Sequence, residues 1–273
     1  MESPAEFNVL WERARARLGP FAGRLRWFPT LTSTNEVAMR LAQAGAEEGT
    51  TLLADTQTAG RGRRGRTWFS PVGSGLYVSV ILRPGDGRAD RPPDWLTSRL
   101  TMTAGVALAD GVRASTGLPV ELKWPNDLVV GRRKLAGILA EVSVPPSPAA
   151  RHVAAVVVGI GINVGAAVYP PELAATATSI ETELGRPIGR APVLVETLAA
   201  LASRYEDLRA GRFDAILSAW RGHAPSLAGA AIEWDSPGGT TRGRAVDVDE
   251  DGALLARSDS GVSRLVAGEV RWR

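Results

Sequence analysis

The stretch Glu121-Leu122-Lys123-Trp124-Pro125-Asn126-Asp127-Leu128-Val129-Val130-Gly131-Arg132-Arg133-Lys134-Leu135-Ala136-Gly137-Ile138-Leu139-Ala140-Glu141 decides how the chain is read. Residues 120–124 read as a strand and Pro125-Asn126-Asp127 as a turn. Residues 128–130 and 135–144 then form a hairpin about Gly131-Arg132-Arg133. The window holds both lysines of the chain, Lys123 and Lys134; the other 30 of its 32 basic residues are arginines. A chain this biased toward arginine keeps lysine where a planar guanidinium fork cannot replace a compact charge, for instance among several phosphate or carboxylate oxygens.

Working toward the N-terminus, residues 50–55 (TTLLAD) read as a strand feeding the loop Thr56-Gln57-Thr58-Ala59-Gly60-Arg61-Gly62-Arg63-Arg64-Gly65-Arg66-Thr67-Trp68-Phe69-Ser70. Its glycines permit φ > 0 and successive N–H groups suited to an anion nest, and its arginines offer bidentate donors. The same loop also reads as a nucleic-acid patch or a solvated turn, and the loop alone does not decide. Before it, Ser33 and Glu36 have capping-box spacing ahead of the apolar-periodic run at 37–44, which predicts a helix start whose free N–H groups suit a polar ligand or serve only as a cap. Residues 5–18 predict an amphipathic helix stopped by Gly19-Pro20, and 25–28 a strand.

Toward the C-terminus the pattern continues as strand, helix, hairpin and strand. Residues 74–83 alternate as a strand, 85–93 connect, and 95–115 predict a long helix ending at Gly117 with Pro119 beyond. After a loop at 145–148, residues 151–158 enter a strand closing on Gly159-Ile160-Gly161-Ile162-Asn163. Helices follow near 178–185, 191–210 and 213–220. Short alternating segments from 226 to 273, separated by turns such as Ser236-Pro237-Gly238-Gly239, predict a small β-barrel. The division expected is 1–225 and 226–273.

Composition narrows the chemistry. There is no cysteine, so disulfides, thiolate metal sites and a cysteine nucleophile are excluded. Only His152 and His223 are present, far apart, which speaks against a histidine metal centre or a histidine-dependent triad. Gly and Pro together make up roughly 18%, below the low-complexity range, so a folded, loop-rich protein is expected. No apolar run is long enough for a membrane span and no signal-peptide pattern opens the chain, so the expected location is the cytoplasm. The formal net charge is only +3.

Taken in order, Ser33-Thr34-Asn35, Gln57 with Gly60-Arg61-Gly62-Arg63-Arg64-Gly65, Lys123-Trp124-Pro125-Asn126-Asp127, Arg133-Lys134-Leu135-Ala136-Gly137-Ile138-Leu139 and Gly159-Ile160-Gly161-Ile162-Asn163 resemble the biotin–protein ligases. Each piece alone is weak to moderate; the ordered set is highly specific and spans nearly the whole chain. The leader is too short for the N-terminal DNA-binding domain of some members, so the short form, without DNA binding, is expected.

The resemblance implies an α+β fold of the class II synthetase kind. A mixed β-sheet carries helices packed on one side, followed by an SH3-like C-terminal β domain. It implies two steps: biotin and Mg-ATP give biotinyl-5′-AMP and pyrophosphate, then the biotinyl group passes to one lysine of a biotin carboxyl carrier domain. Both steps accumulate charge on oxygen and need positioning and positive charge more than a protein nucleophile. On this resemblance Lys134 is the central cation against the biotin carboxylate and the α-phosphate, while Arg63 with Arg61 clamps phosphate and closes the loop. Asn126 and Asp127 sit at the adenylate end, Asp127 carrying Mg²⁺ directly or through water, or orienting the carrier lysine. Ser33, Thr34 and Gln57 bond the ureido ring. Gly60 and Gly137 allow close backbone approach, and Trp68 covers the biotin chain or adenine. Gly159, Gly161 and Asn163 border the adenine; Lys123 is structural or approaches phosphate. A monomer or homodimer is expected. Two other readings stay open: a lipoate–protein ligase-like acyl transferase, and a non-enzymatic nucleic-acid-binding module.

Overall fold

The computed structural model describes residues 4–23, 25–84, 93–143, 155–236, 239–266, 268 and 270–273. The expected connections at 85–93 and 145–148 lie almost wholly outside them. Seven strands form one mixed sheet: β1 (Leu25–Phe28), β2 (Thr51–Ala54), β3 (Gly75–Leu82), β4 (Glu121–Lys123), β5 (Asp127–Val130), β6 (Arg133–Ser143) and β7 (Ala155–Asn163). Their order is β1-β2-β3-β7-β6-β5-β4; β1 and β2 run parallel and every other neighbour is antiparallel. The opening stretch forms β4, β5 and β6 on one edge. Its first turn contains a cis Trp124–Pro125 bond, and Asp127 pairs with Lys123 as the first residue of β5 rather than lying in the turn.

The helices are α1 (Ala5–Ala14), α2 (Thr34–Gln43), α3 (Pro93–Thr116), α4 (Pro171–Ala174), α5 (Ile180–Leu184), α6 (Arg190–Arg209) and α7 (Phe213–Gly222). The long helices α3 and α6 pack together on one sheet face, where Val78, Val80, Val156, Val158, Ile160 and Ile162 are buried. Gly111 sets their closest approach: a Cβ there would meet the Thr197 Cα at 2.4 Å, so only glycine lets the two backbones touch. The short α2 covers part of the opposite face with Ala38 and Ala42 against Leu52, Ile81 and Val157. This second cover explains why all eight residues of β3 are buried despite the alternating pattern, which by itself predicts one open face.

The C-terminal segment forms β8 (Ala231–Ser236), β9 (Gly239–Val248), β10 (Leu254–Ser258), β11 (Gly261–Leu265) and β12 (Val270–Trp272). They make a separate five-stranded antiparallel sheet in the order β11-β10-β9-β8-β12, consistent with the small barrel expected. It is docked on the first sheet: the buried Trp124 indole donates to the Gly252 carbonyl (3.0 Å) and the Trp95 indole to Asp251 (2.9 Å). Ile232, Trp234 and Val270 join the main hydrophobic core. No helix among the described residues is long and apolar enough to cross a membrane.

Candidate active site

The site begins with a period of two. Along β7, even-numbered residues Val156 to Ile162 face the long helices, which turns Gly159, Gly161 and Asn163 to the other face. Cross-strand register aligns Tyr77, Gly161 and Gly137 in one row and Ser79, Gly159 and Leu139 in the next. Glycine at these points leaves a trough that side chains from outside the sheet enter. A Cβ on Gly161 would lie 2.5 Å from Trp68 Cε2, and one on Gly137 3.0 Å from both Trp68 Cζ3 and Lys134 Cε. A Cβ on Gly159 would lie 2.1 Å from Asn35 Oδ1. The faces expected to border a flat base are therefore taken by Trp68 over Gly161 and Asn35 over Gly159. The Trp68 Nε1–H is buried and finds no acceptor among the described residues. Asn163 lines the trough and donates from Nδ2 to the Thr178 carbonyl (2.9 Å).

At the α2 end the wall is polar and nearly closed. Ser33, Thr34 and Asn35 are all at least 95% buried. The capping box forms differently from expectation. Ser33 is the extended N-cap but makes no side-chain cap bond; Thr32 Oγ1 bonds Glu36 instead (3.0 Å). The free N–H of Thr34 donates to Gln57 Oε1 (2.8 Å), a tertiary partner, and Gln57 Nε2 donates to Ser70 Oγ (3.0 Å). The Ser79 hydroxyl lies 2.6 Å from Asn35 Oδ1 and 2.8 Å from Thr34 Oγ1.

The Gly/Arg loop arches over this trough. Its two arms meet where Trp68 N–H donates to the Gly60 carbonyl (2.9 Å); a Cβ on Gly60 would come within 2.5 Å of the Trp68 carbonyl oxygen. The left-handed residues of the loop are Arg64 (φ 57°) and Gly65 (φ 73°) at its tip, not the run of glycines the nest reading needs. The two arginines do not share one clamp. Arg61 pairs with Glu141 (2.7 Å) toward the α2 end, whereas Arg63 Nη1 donates to Asn126 Oδ1 (3.1 Å) at the far end. Burial pushes the Arg63 guanidinium below its usual range, with Asp127 opposing the drop and Arg64 adding to it.

The far end gathers the opening stretch. Lys134 Nζ lies 2.5 Å from Asp127 Oδ1 and 5.3 Å from the centre of a Trp68 ring. Asn126 is clipped to β6 in both directions, its Nδ2 donating to the Ile138 carbonyl (2.7 Å) and its own carbonyl accepting from Ile138 N–H (2.9 Å). It is not the Asx turn that its position allows. Lys123 Nζ stands 5.6 Å from the ring centre of Trp272, so the C-terminal sheet borders this end. Burial pushes the Tyr77 phenol up to about 12; it stays protonated and donates to the Pro71 carbonyl (2.9 Å).

The cavity measures about 570 Å³ and is lined by seven basic side chains against one carboxylate, Asp127. Such a balance selects an anionic ligand. It also tests the fit of a divalent cation. Among the described residues no group of three or more Asp, Glu or His side chains could hold one. One carboxylate suits Mg²⁺ that arrives bound to phosphate oxygens and water, and Asp127 is the residue that would touch it. Sequence alone assigned no role to Tyr77, Ser79, Glu141 or Trp272; the one small polar residue inside GLYVSVIL was the available signal for Ser79.

Comparison with known proteins agrees with this geometry. The biotin/lipoate A/B protein ligase family matches residues 27–163, and the biotin protein ligase C-terminal domain matches residues 232–271. The bifunctional ligase/repressor BirA of Bacillus spizizenii is 36% identical over 88% of this chain and 71% of its own. The biotin–[acetyl-CoA-carboxylase] ligase of Paracoccus denitrificans is 33% identical over 87% of this chain and 96% of its own. A biotin protein ligase from Aquifex aeolicus, solved in complex with biotin and ATP, superposes with a TM-score of 0.76 at 28% identity, covering 92% of this chain and 99% of that one. The family match over residues 27–163 and the relatives aligned over nearly the whole chain show that the protein belongs to the biotin protein ligases of the biotin/lipoate ligase family.

Proposed function

We propose that the protein uses ATP to activate biotin as biotinyl-5′-AMP and transfers the biotinyl group to a lysine of a biotin carboxyl carrier domain. The observation that carries this is one cavity with two chemically different ends. Lys134 and Leu139 are five residues apart on β6, so the ends are about 16 Å apart along the strand. That length suits a ureido bicycle, its acid chain and a phosphate laid end to end.

In the first step a biotin carboxylate oxygen attacks the α-phosphorus and pyrophosphate leaves. Charge grows on the phosphoryl oxygens. Lys134 and Arg63 are the cations that would stabilise it. Mg²⁺ held by the nucleotide, with Asp127 as its protein contact, would neutralise the triphosphate. In the second step a neutral carrier amine attacks the acyl carbon, AMP leaves, the amine nitrogen gives up one proton to water and an amide forms. Asp127, beside Lys134, would orient that amine. Ser33, Thr34 and Gln57 supply donors and acceptors for the ureido group, and Trp68 covers the chain between the ends. The division near residue 225 belongs to this reading: 1–225 carries the chemistry, and 226–273 closes the far end through Trp272. The cytoplasm, where carboxylase carriers and ATP would be met, is the corresponding location.

The test is one incubation of purified protein with ATP, Mg²⁺, a carrier domain and either biotin or lipoate, read by intact mass. A gain equal to one biotinyl group, dependent on ATP, is expected. No mass gain with biotin, or an equal gain with lipoate, would overturn the assignment.

A further inference from the structure

We propose that Glu141 is a positioning residue: it tethers Arg61, and with it the Gly/Arg loop, over the inner end of the cavity, and tight retention of biotin depends on that tether. The inference rests on the reading of the Ser33–Thr34–Gln57 end as the biotin end.

Glu141 lies two residues beyond Leu139 on β6, on the same face, in register with Val157 of β7. The residues beside it, Val157 and Ile81, belong to the small core under α2, and the side chain is 23% exposed. A carboxylate in such a place is costly unless each oxygen finds a donor. Both do, and from different elements. Arg61 Nη2 donates to Oε1 (2.7 Å) and Asn35 Nδ2 to Oε2 (2.9 Å).

Asn35 carries the connection onward. Its Oδ1 accepts from the Ser79 hydroxyl, which also touches Thr34 Oγ1; Thr34 N–H donates to Gln57, Gln57 to Ser70, and Ser70 Oγ to the Trp68 carbonyl (3.1 Å). This polar belt leaves the loop at Arg61 and rejoins it at Gln57 and Ser70. Both arms of the loop are therefore linked, through Glu141 and through Gln57, to Asn35 and Thr34, which line the inner end. Glu141 is the belt's one anion, and Arg61 is the link that reaches it from the exposed side.

The charge and the hydrogen bond can be separated. Glu141→Gln keeps an amide oxygen for Asn35 Nδ2 but removes the ion pair with Arg61. Arg61→Gln removes the same pair from the exposed side, where folding is least at risk. The Asn126–Asp127–Lys134 end touches neither residue, so ATP binding supplies the contrast.

The experiment measures KM for biotin, KM for ATP, kcat and free biotinyl-AMP released, for wild type, Glu141→Gln, Arg61→Gln and the double variant. Both single variants are expected to raise the biotin KM about tenfold, the equivalent of one charge-assisted hydrogen bond. The ATP KM should stay within about twofold, adenylate release should rise, and the double variant should be no worse than either single one, since all three break one pair. Equal shifts in both KM values would mark a merely structural role and overturn the proposal, as would an unchanged biotin KM or additive effects in the double variant. Should Glu141→Gln not fold, Arg61→Gln alone must show the same split. A wild-type protein that makes no biotinyl-AMP would overturn the functional reading beneath this one; an active wild type with unsplit variants would overturn this inference alone.

Discussion

Lys134 Nζ and Asp127 Oδ1 stand 2.5 Å apart, so the ammonium is already matched by a carboxylate from the neighbouring strand. The pair is only partly shielded, with 36% and 22% of the two side chains exposed. An incoming carboxylate and phosphate would compete with Asp127 for the ammonium. A flexible lysine can be shared among several oxygens, whereas a guanidinium fork is fixed and larger. Space is tight as well: a Cβ on Gly137 would lie 3.0 Å from Lys134 Cε.

From this pair the first expectation follows. Lys134→Ala should lose adenylate formation by roughly 100- to 1000-fold in kcat, the usual cost of removing one transition-state donor. Lys134→Arg should recover little of it. Neither should shift the melting temperature by more than a few degrees, because a partly exposed pair contributes about 1 kcal/mol or less. Pyrophosphate release with biotin and ATP reports the first quantity and a thermal scan the second. Near-wild-type turnover in Lys134→Ala would remove the assignment.

Arg63 bridges the loop to the hairpin through Asn126. Arg63→Gly should therefore open the far end while leaving the Arg61–Glu141 tether in place. Biotinyl-AMP, a mixed anhydride reactive toward any free amine, should then escape. The variant is expected to label lysines on unrelated proteins such as serum albumin. Strict carrier specificity in a streptavidin blot would contradict this role for the loop.

Much of this site was legible in the residues themselves. Lysine scarcity singled out Lys134, and Gly159, Gly161 and Asn163 stood at period two on one strand. What stayed hidden depended on register and on tertiary competition. Ser33 and Thr32 offer similar hydroxyls ahead of Glu36, and spacing favoured Ser33. In the fold Gln57, twenty-three residues away, takes the helix's free N–H, and Thr32 takes Glu36. Arg61 and Arg63 look equivalent in sequence. They part because the loop's 3-10 turn at Arg63–Gly65 sends one toward Glu141 and the other toward Asn126. Trp272 could not be placed at the site at all, since it reaches there only through the docking of a second sheet.

The glycine floor gives a third expectation. Gly159→Ala would put a Cβ 2.1 Å from Asn35 Oδ1, on a strand flanked by β3 and β6 that cannot withdraw. Asn35 must move, breaking its bonds to Ser79 and Glu141. The expected cost is about 1–3 kcal/mol of stability, as for other overpacked interiors, together with a rise in biotin KM. Gly161→Ala meets the Trp68 indole at 2.5 Å instead, on a loop that can yield. It should shift tryptophan fluorescence with a smaller loss of stability. Denaturant midpoints for the two variants in the reverse order would refute this account of the trough.

The last expectation concerns acid stability, away from the site. Asp110 on α3 accepts from Arg204 Nη2 (2.8 Å) on one oxygen and lies 2.8 Å from His223 Nε2 on the other, joining α3, α6 and the end of α7. Burial alone would raise its pKa. The hydrogen bonds from His223 and Arg204 outweigh that and hold the carboxyl below the usual range. A group depressed in the folded state stabilises the protein fully above its unfolded pKa, about 3.9 for aspartate. That contribution is lost as pH falls through the lower folded value. At pH 7 Asp110→Asn should cost about 1.5 kcal/mol, the low end for hydrogen bonds to a charged group because the side chain is partly exposed. Near pH 3 the gap between wild type and variant should shrink, as wild type loses what the variant never had. Urea unfolding at both pH values measures this, and a gap that widens on acidification would mean the carboxylate is not held by its two partners.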